Sequence, residues 1–274
     1  MKEFKSFFKT VTASEGDRCK YPTRLDTYGC GCLHDCSYCY AKSLLDFRGL
    51  WRPDDPSVAN LDKIRRKLDK VPAGTVLRLG GMTDCFQPCE EQHRITYETI
   101  KLLNERQIEY LIVTKSDLVA DYVDILDPQL AHIQISITSL HPVDYEKAVP
   151  PERRIRALLN LQDQYDAALR LSPLFADFSE FDKLNELCIR KAVIEFLRVN
   201  TWIRRWLDAD FSKYTLKAGG YWHLPLDEKI KLLNQIQIPS ITVCEDVPEH
   251  YEYWQQNMNP NKKDCCNLEK RGKR

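Results

Sequence analysis

The chain has 274 residues, 43% of them hydrophobic and 10% aromatic, ordinary proportions for one large folded domain or two small ones, which excludes wholesale disorder. Forty basic residues balance forty acidic ones, so no global positive field draws the chain onto nucleic acid, and any such partner must be met by local patches. No stretch approaches the ~18 uninterrupted apolar residues of a membrane-spanning helix, and Lys5 and Lys9 interrupt the phenylalanines of the opening MKEFKSFFKT, where a signal peptide carries an apolar run. The expectation is a cytoplasmic protein with no membrane partner.

In chain order, short β-rich apolar runs alternate with longer segments of helical spacing. Strands are expected at residues 25–29, 75–80, 109–114, 132–137, 168–173 and 194–199, with a further one at 240–244. The helix between the first two shows the logic: Leu61, Ile64, Leu68 and Val71 share one face, while Lys63, Arg65, Arg66 and Lys67 fall on others. Other helices are expected at 91–105, 151–166, 180–191 and 227–236. Such β/α units predict an α/β fold, barrel or open sheet, with its chemistry at the C-terminal ends of the strands and in the loops after them. Glycine and proline are few, and no repeat, low-complexity tract or Ser/Gly-rich linker marks a boundary.

Eleven cysteines without an export signal point to metal rather than to disulfides. Directly after the first strand, Cys30-Gly-Cys32-Leu-His-Asp-Cys36-Ser-Tyr38-Cys39-Tyr40-Ala41 contains Cys-x3-Cys-x2-Cys at positions 32, 36 and 39. Three thiolates in one tight loop suit a soft metal, and on a cubane iron–sulfur cluster they leave one iron open to a substrate or cofactor. A structural zinc site would want a fourth ligand and a small domain in need of a staple. His34 lies between two of the thiolates, where ligation would be strained.

This loop, with an aromatic residue just before its last cysteine, resembles the signature of the radical S-adenosylmethionine enzymes. The resemblance implies a partial (β/α)6 TIM-like barrel with a C-terminal extension, divided as residues 1–20 (N-terminal extension), 21–207 (barrel) and 208–274 (C-terminal extension packing on it). It also implies a [4Fe-4S] cluster on Cys32, Cys36 and Cys39, whose open iron chelates S-adenosylmethionine and whose electron cleaves it to methionine and a 5'-deoxyadenosyl radical. A reducing partner such as flavodoxin or ferredoxin would supply the electron.

From about residue 24 to about residue 174 the chain more narrowly resembles the spore photoproduct lyase family of DNA repair photolyase-like proteins. The matching residues are Gly31-Cys32, Tyr38-Cys39-Tyr40-Ala41, Gly81-Met82-Thr83-Asp84 with Gln87-Pro88, Val113-Thr114-Lys115 and Ser136-Ile-Thr-Ser139. By that resemblance Gly80, Gly81 and Thr83 line the methionine part of the cofactor, Lys115 meets its carboxylate, Ser136 approaches its ribose and Tyr38 lies beside it. An ammonium near a carboxylate and glycines that permit close backbone approach agree with those roles. Tyr38 and Tyr40 match two tyrosines proposed to relay hydrogen. The family's hydrogen-donating cysteine aligns with Gly81, so that thiol is missing here. Cys85, directly after Asp84, becomes the candidate donor, with Cys89 four residues later; a small buried hydrophobe is the plain alternative for either.

The leading substrate class is a nucleobase or nucleotide in DNA, for lesion repair or for base modification or rearrangement. A peptide or small-molecule substrate and a non-catalytic cysteine-bound metal protein are the alternatives. Basic residues cluster at Lys63 to Lys70, at Arg153, Arg154 and Arg156, and in the tail from Lys262. The segment from Arg198 to Trp206 interleaves guanidinium and indole groups, as phosphate-tracking and base-stacking surfaces do, and Tyr221-Trp222-His223 follows Gly219-Gly220. A capping helix with buried tryptophans has the same composition. Cys244 with Cys265-Cys266 could hold a second cluster or metal, although adjacent cysteines seldom ligate one metal comfortably. Cys188 falls in a helical pattern and is expected in the core, while Cys19 and Cys30 do not fit the spacing of the cluster loop.

Overall fold

A computed structural model describes residues 3–4, 8–10, 18–259 and 264–268. Its main sheet contains β2 (Phe8–Thr10), β3 (Thr23–Leu25), β6 (Leu77–Leu79), β7 (Tyr110–Thr114), β8 (Ala131–Ile137), β9 (Asp166–Leu174), β10 (Lys191–Phe196) and β13 (Ser240–Cys244). From β3 to β13 neighbours along the sheet follow chain order and pair in parallel, and β2 lies antiparallel on β3. This is the winding of a TIM-like barrel left open between β2 and β13. Residues 240–244 form a seventh parallel strand on β10, beyond the six expected units. All seven residues of β8 are buried, as befits a parallel strand with helices on one face and a filled lumen on the other.

The covering helices are α1 (Tyr40–Phe47), α2 (Leu61–Leu68), α3 (Glu90–His93), α4 (Ile95–Glu105), α5 (Pro151–Leu161), α6 (Phe181–Glu186), α7 (Thr201–Trp206), α8 (Leu226–Leu233) and α9 (Pro248–Asn257). On α2 the predicted face is the buried one: Ile64 and Leu68 are almost inaccessible to solvent, and the Asn60 side chain accepts the Lys63 N–H at its N-terminus. A three-residue β5 (Ser57–Ala59) pairs with β1 (Glu3–Phe4) and β4 (Tyr28–Gly29) in a small second sheet.

Two expected elements are broken. The strand expected at 25–29 splits at Asp26, whose buried carboxylate accepts the N–H groups of Gly81 (2.7 Å) and Met82 (2.9 Å), so the chain turns from the main sheet into the small one. The helix expected at 91–105 breaks at Arg94, which is left-handed at φ 51°. The cause is Glu90: fully buried, it accepts the Thr96 and Tyr97 N–H groups (2.9 Å each) and the hydroxyls of Tyr28 (2.5 Å) and Tyr122 (2.8 Å). Its carboxylate thereby satisfies the open N-terminus of α4. The helix expected at 180–191 ends at Glu186, which leaves Cys188 exposed rather than in the core.

Candidate active site

The cluster loop lies at the C-terminal end of the sheet and is tied down residue by residue. Gly31 precedes it because nothing larger fits: a Cβ there would lie 1.9 Å from the Arg52 carbonyl oxygen. The Leu33 N–H reaches Gln87 Oε1 (2.9 Å), the Lys147 N–H reaches the His34 carbonyl (2.7 Å) and the Ser37 N–H reaches the Tyr145 carbonyl (2.8 Å). Asp35, left-handed at φ 42°, accepts from Lys42 (2.6 Å) and pairs with Lys147 (3.1 Å). Cys39 caps α1, its sulfur facing the Lys42 N–H. Gln87, fully buried, also donates to the Asp84 carbonyl (3.1 Å), so one amide welds the cluster loop to the loop after β6.

His34 Nε2 lies 3.2 Å from Asp84, which turns it from the thiols toward a carboxylate. Burial pushes Asp84 upward, but His34 and the N–H groups of Lys115 and Phe86 outweigh it and hold the carboxyl below its ordinary value. That carboxylate also accepts the Thr114 hydroxyl (2.7 Å) and the Lys115 N–H (2.6 Å), fixing the end of β7 from which Lys115 projects.

One cavity joins these parts. It encloses about 180 Å³, and its walls include Cys32, Cys36, Cys39, Tyr38, Tyr40, Gly80, Gly81, Thr83, Lys115 and Ser136. Gly80 has φ 80°, and a Cβ there would press on the Val113 carbonyl oxygen at 3.0 Å, so the conformation itself requires glycine. Thr83 donates to the Tyr28 carbonyl (2.6 Å). Lys115 Nζ donates to Ser136 Oγ and to the Ser172 carbonyl, both at 2.9 Å, and stands 5.2 Å over the Tyr38 ring. Tyr40 donates to the Gly81 carbonyl (3.1 Å), and the Arg198 guanidinium lies 4.0 Å over its ring.

Cys85 stands apart. It is 1% exposed and outside the cavity lining; its carbonyl accepts the Thr96 hydroxyl (2.5 Å) and its thiol belongs to the hydrophobic core. Cys89 is also outside the lining, at the start of α3. The basic stretches scatter as well: Arg65, Arg66 and Lys67 are an exposed face of α2, and Arg153 pairs with Asp117 (2.6 Å). Arg154 is 1% exposed and held by Glu146 and by the Ser136 carbonyl (2.8 Å), so it meets no external phosphate. Lys262, Lys263 and residues 269–274 lie outside the described residues.

Glu146 is the functional-site residue that sequence reasoning missed. Buried beside the cluster loop, it takes the Tyr38 hydroxyl and the Arg154 guanidinium and lies 3.6 Å from Lys115. Burial alone would raise its carboxyl, but Lys115, Arg154 and Tyr38 bring it down to about 2. A fixed anion therefore stands behind the cationic wall of the cavity.

The donor set fits an iron–sulfur cluster. Burial pushes the Cys36 thiol up to about 12 against the pull of Lys115, and raises Cys32 and Cys39 too. Such buried thiols become thiolates when a metal's charge replaces the proton. Among the described residues no three His, Cys, Asp or Glu side chains close round a single metal ion, whereas a polynuclear cluster holds its thiolates farther apart.

No curated protein is significantly similar in sequence. Among solved structures, a cysteine-to-alanine mutant of spore photoproduct lyase superposes with a TM-score of 0.70 at 17% identity, covering 88% of this chain and 80% of that one. A double mutant of the same lyase with bound AdoMet and dinucleoside spore photoproduct gives 0.66 at 16% identity, with the same coverage. At that identity the likeness is one of fold. No helix among the described residues is long and apolar enough to cross a membrane. Residues 27–171, more than half of the chain, match the model of the Radical SAM superfamily, at the parallel strands that carry the cysteine loop and the cavity wall; the chain belongs to that superfamily and is a radical S-adenosylmethionine enzyme using a [4Fe-4S] cluster.

Proposed function

We propose that Cys32, Cys36 and Cys39 hold the cluster, that the wall from Gly80 to Ser136 orients S-adenosylmethionine, and that the substrate is a nucleobase within DNA, which is modified or rearranged. The observation that carries this reading is the single cavity shared by the three thiols, Gly80, Gly81, Lys115 and Ser136. When bound, the cluster and S-adenosylmethionine supply a 5'-deoxyadenosyl radical that abstracts hydrogen from the substrate; the protein binds, orients and shields them.

Lys115 is prepared for a carboxylate: Ser136 and Ser172 fix its ammonium, while Glu146 balances its charge from behind at a longer distance. Gly80 brings bare backbone to the same wall. Tyr38, its hydroxyl on Glu146, holds the flank of the cluster loop. Deeper in the cavity Arg78, Arg170 and Arg198 face inward with Glu195 as the acidic wall, and Arg78 Nε is buried without a hydrogen-bond partner. An anionic substrate would supply one, which favours a nucleotide over a neutral molecule. Outside the cavity lining, Trp202 and Trp206 lie 6.0 Å apart on α7, with Arg205 over Trp202, a composition suited to stacking and phosphate contact.

Modification is favoured over repair that ends at a thiol because Gly81 occupies the donor position and Cys85 is buried outside the cavity. The test is anaerobic reconstitution with iron and sulfide, reduction, and chromatographic assay of 5'-deoxyadenosine with and without DNA. DNA should raise the yield and exchange label with deuterated cofactor. A yield indifferent to DNA, with no label exchanged, removes the substrate assignment. A well-formed cluster that gives no 5'-deoxyadenosine removes the catalytic one.

A further inference from the structure

Residues 264–268 pack against β8, β10 and β13 and carry two thiols that the active-site cavity does not use. The segment is firmly built in. Asp264 accepts the Tyr21 hydroxyl (2.6 Å) and the Cys266 N–H (2.9 Å). Gln134 on β8 donates to the Cys266 carbonyl (2.8 Å), Thr242 on β13 to the Cys265 carbonyl (2.9 Å), and Asn267 to the carbonyls of Ala192 and Ser240 (3.2 Å each). Cys265 and Cys266 are 6% and 3% exposed; Leu111 and Leu268 pack with them, and Cys244 closes against the same cluster with Tyr21, Val76 and Val113.

Three separate stretches thus bring four free thiols together. Cys244, Cys265 and Cys266 pack in one cluster, and Cys19 lies near enough to Cys266 and Cys244 for their charges to raise its thiol. Two guanidiniums attend them: Arg170 lies near Cys244 and Cys266, and Arg78 near Cys19. Arg170 is itself held by Gln134 (2.7 Å) and Glu195 (2.6 Å). Four cysteines gathered from three stretches, two of them buried and two partly buried, with cations to offset thiolate charge, are more than packing requires.

We propose that Cys19, Cys244, Cys265 and Cys266 bind a second iron–sulfur cluster where the 264–268 segment packs against the barrel strands. Zinc is the poorer occupant, because adjacent Cys265 and Cys266 cannot both wrap comfortably onto one ion. A polynuclear cluster spreads its thiolates and lets neighbouring cysteines take different irons. In register, Cys244 stands beside Glu195, and Glu195 and Arg170 also line the active-site cavity, so one ion pair separates the second site from the first. The proposal concerns a site of its own and does not depend on the substrate assigned above.

The test removes the first site and asks what iron remains. A Cys32→Ala/Cys36→Ala/Cys39→Ala protein, reconstituted anaerobically, should retain about half of the wild-type iron and acid-labile sulfide. Its reduced paramagnetic resonance signal should be unmoved by S-adenosylmethionine, and adding Cys265→Ser and Cys266→Ser should abolish it. An iron-free triple variant, iron that survives loss of Cys265 and Cys266, or zinc in place of iron would each overturn the proposal. Should the triple variant fail to fold, the wild-type chain decides: its iron and sulfide should be about twice those of the Cys265→Ser/Cys266→Ser protein, and equal contents would overturn the proposal.

Discussion

Glu146→Gln separates a carboxylate that holds the molecule together from one that merely sits near the site. The substitution keeps the shape and removes one negative charge from a place where Arg154 is 1% and Glu146 2% exposed at the side chain. A carboxyl held at about 2 rather than at its ordinary 4.5 stabilises the fold by roughly 3 kcal/mol at neutral pH. Breaking a buried ion pair by removing one partner independently costs about 3–5 kcal/mol. For a chain slightly longer than those that lose ~2–4 °C per kcal/mol, the expected fall in melting temperature is roughly 6 °C or more. The cluster-free protein, which has no acid-labile sulfide to lose, should be melted, followed by circular dichroism, at pH 7 and again near pH 3. Because the folded carboxyl lies below its unfolded value, its contribution is complete above the unfolded value and fades as pH falls from there through about 2. The gap between wild type and variant should therefore narrow in acid. Adding Arg154→Met to Glu146→Gln should restore part of the loss, since an apolar replacement of both partners leaves no buried charge unpaired there. A variant melting within 2 °C of wild type at pH 7 would refute the reasoning.

Gly31→Ala should cost the chain its active-site cluster, because the new Cβ meets backbone rather than a movable side chain; full iron loading with an S-adenosylmethionine-sensitive resonance signal would count against that. Lys115→Ala should weaken S-adenosylmethionine binding at least about tenfold, the lower end for a lost charged hydrogen bond, while iron content stays the same; calorimetric titration of the reconstituted protein measures this, and unchanged affinity removes Lys115 from the cofactor wall. Cys85→Ala should leave the product profile unaltered and lower stability by about 1–2 kcal/mol, as deletion of a small buried side chain does. A changed product ratio at normal stability would return Cys85 to the chemistry.

The parallel fold was legible because period-two and helical spacing alternate along the chain, and the cluster loop because three closely spaced cysteines are rare for any other purpose. The carboxylates were not. Glu90 and Asp26 break a helix and a strand by accepting N–H groups from residues that no spacing rule connects to them. Glu146 draws its meaning from Lys115, on another strand end, and from Tyr38, 108 positions away in the chain. Arg154 did leave a signal: with Ala157, Leu158 and Leu161 it falls on the buried stripe of α5, and a cation on an apolar helical face asks for a buried anion. Read as one of three neighbouring arginines, it looked like a phosphate ligand; read by helical face, it is a core residue.

Gly81 and Arg24 are best understood as one feature. A Cβ on Gly81 would lie 2.5 Å from Arg24 Cδ and 3.2 Å from its Cβ and Cγ, so the missing side chain at 81 is the space in which the arginine stem lies. Cδ would have to move outright, and Cβ and Cγ would have to give by a few tenths of an ångström as well. Gly81→Cys alone should therefore fold poorly, and Arg24→Ala should relieve it; a Gly81→Cys protein melting like wild type would show that the two positions are independent. The same geometry bears on how hydrogen returns. With this position closed to a thiol and Cys85 in the core, the phenols on the cavity wall are Tyr38, committed to Glu146, and Tyr40, donating to the carbonyl of Gly81 itself. Tyr40 thus braces the backbone of Gly81, its ring covered by Arg198, which Asp246 pairs. A cation on the ring face favours keeping electrons in the phenol, so Tyr40 is better placed to hold the pocket wall than to be oxidised. Among the described residues of the cavity wall, each phenol therefore already has a partner.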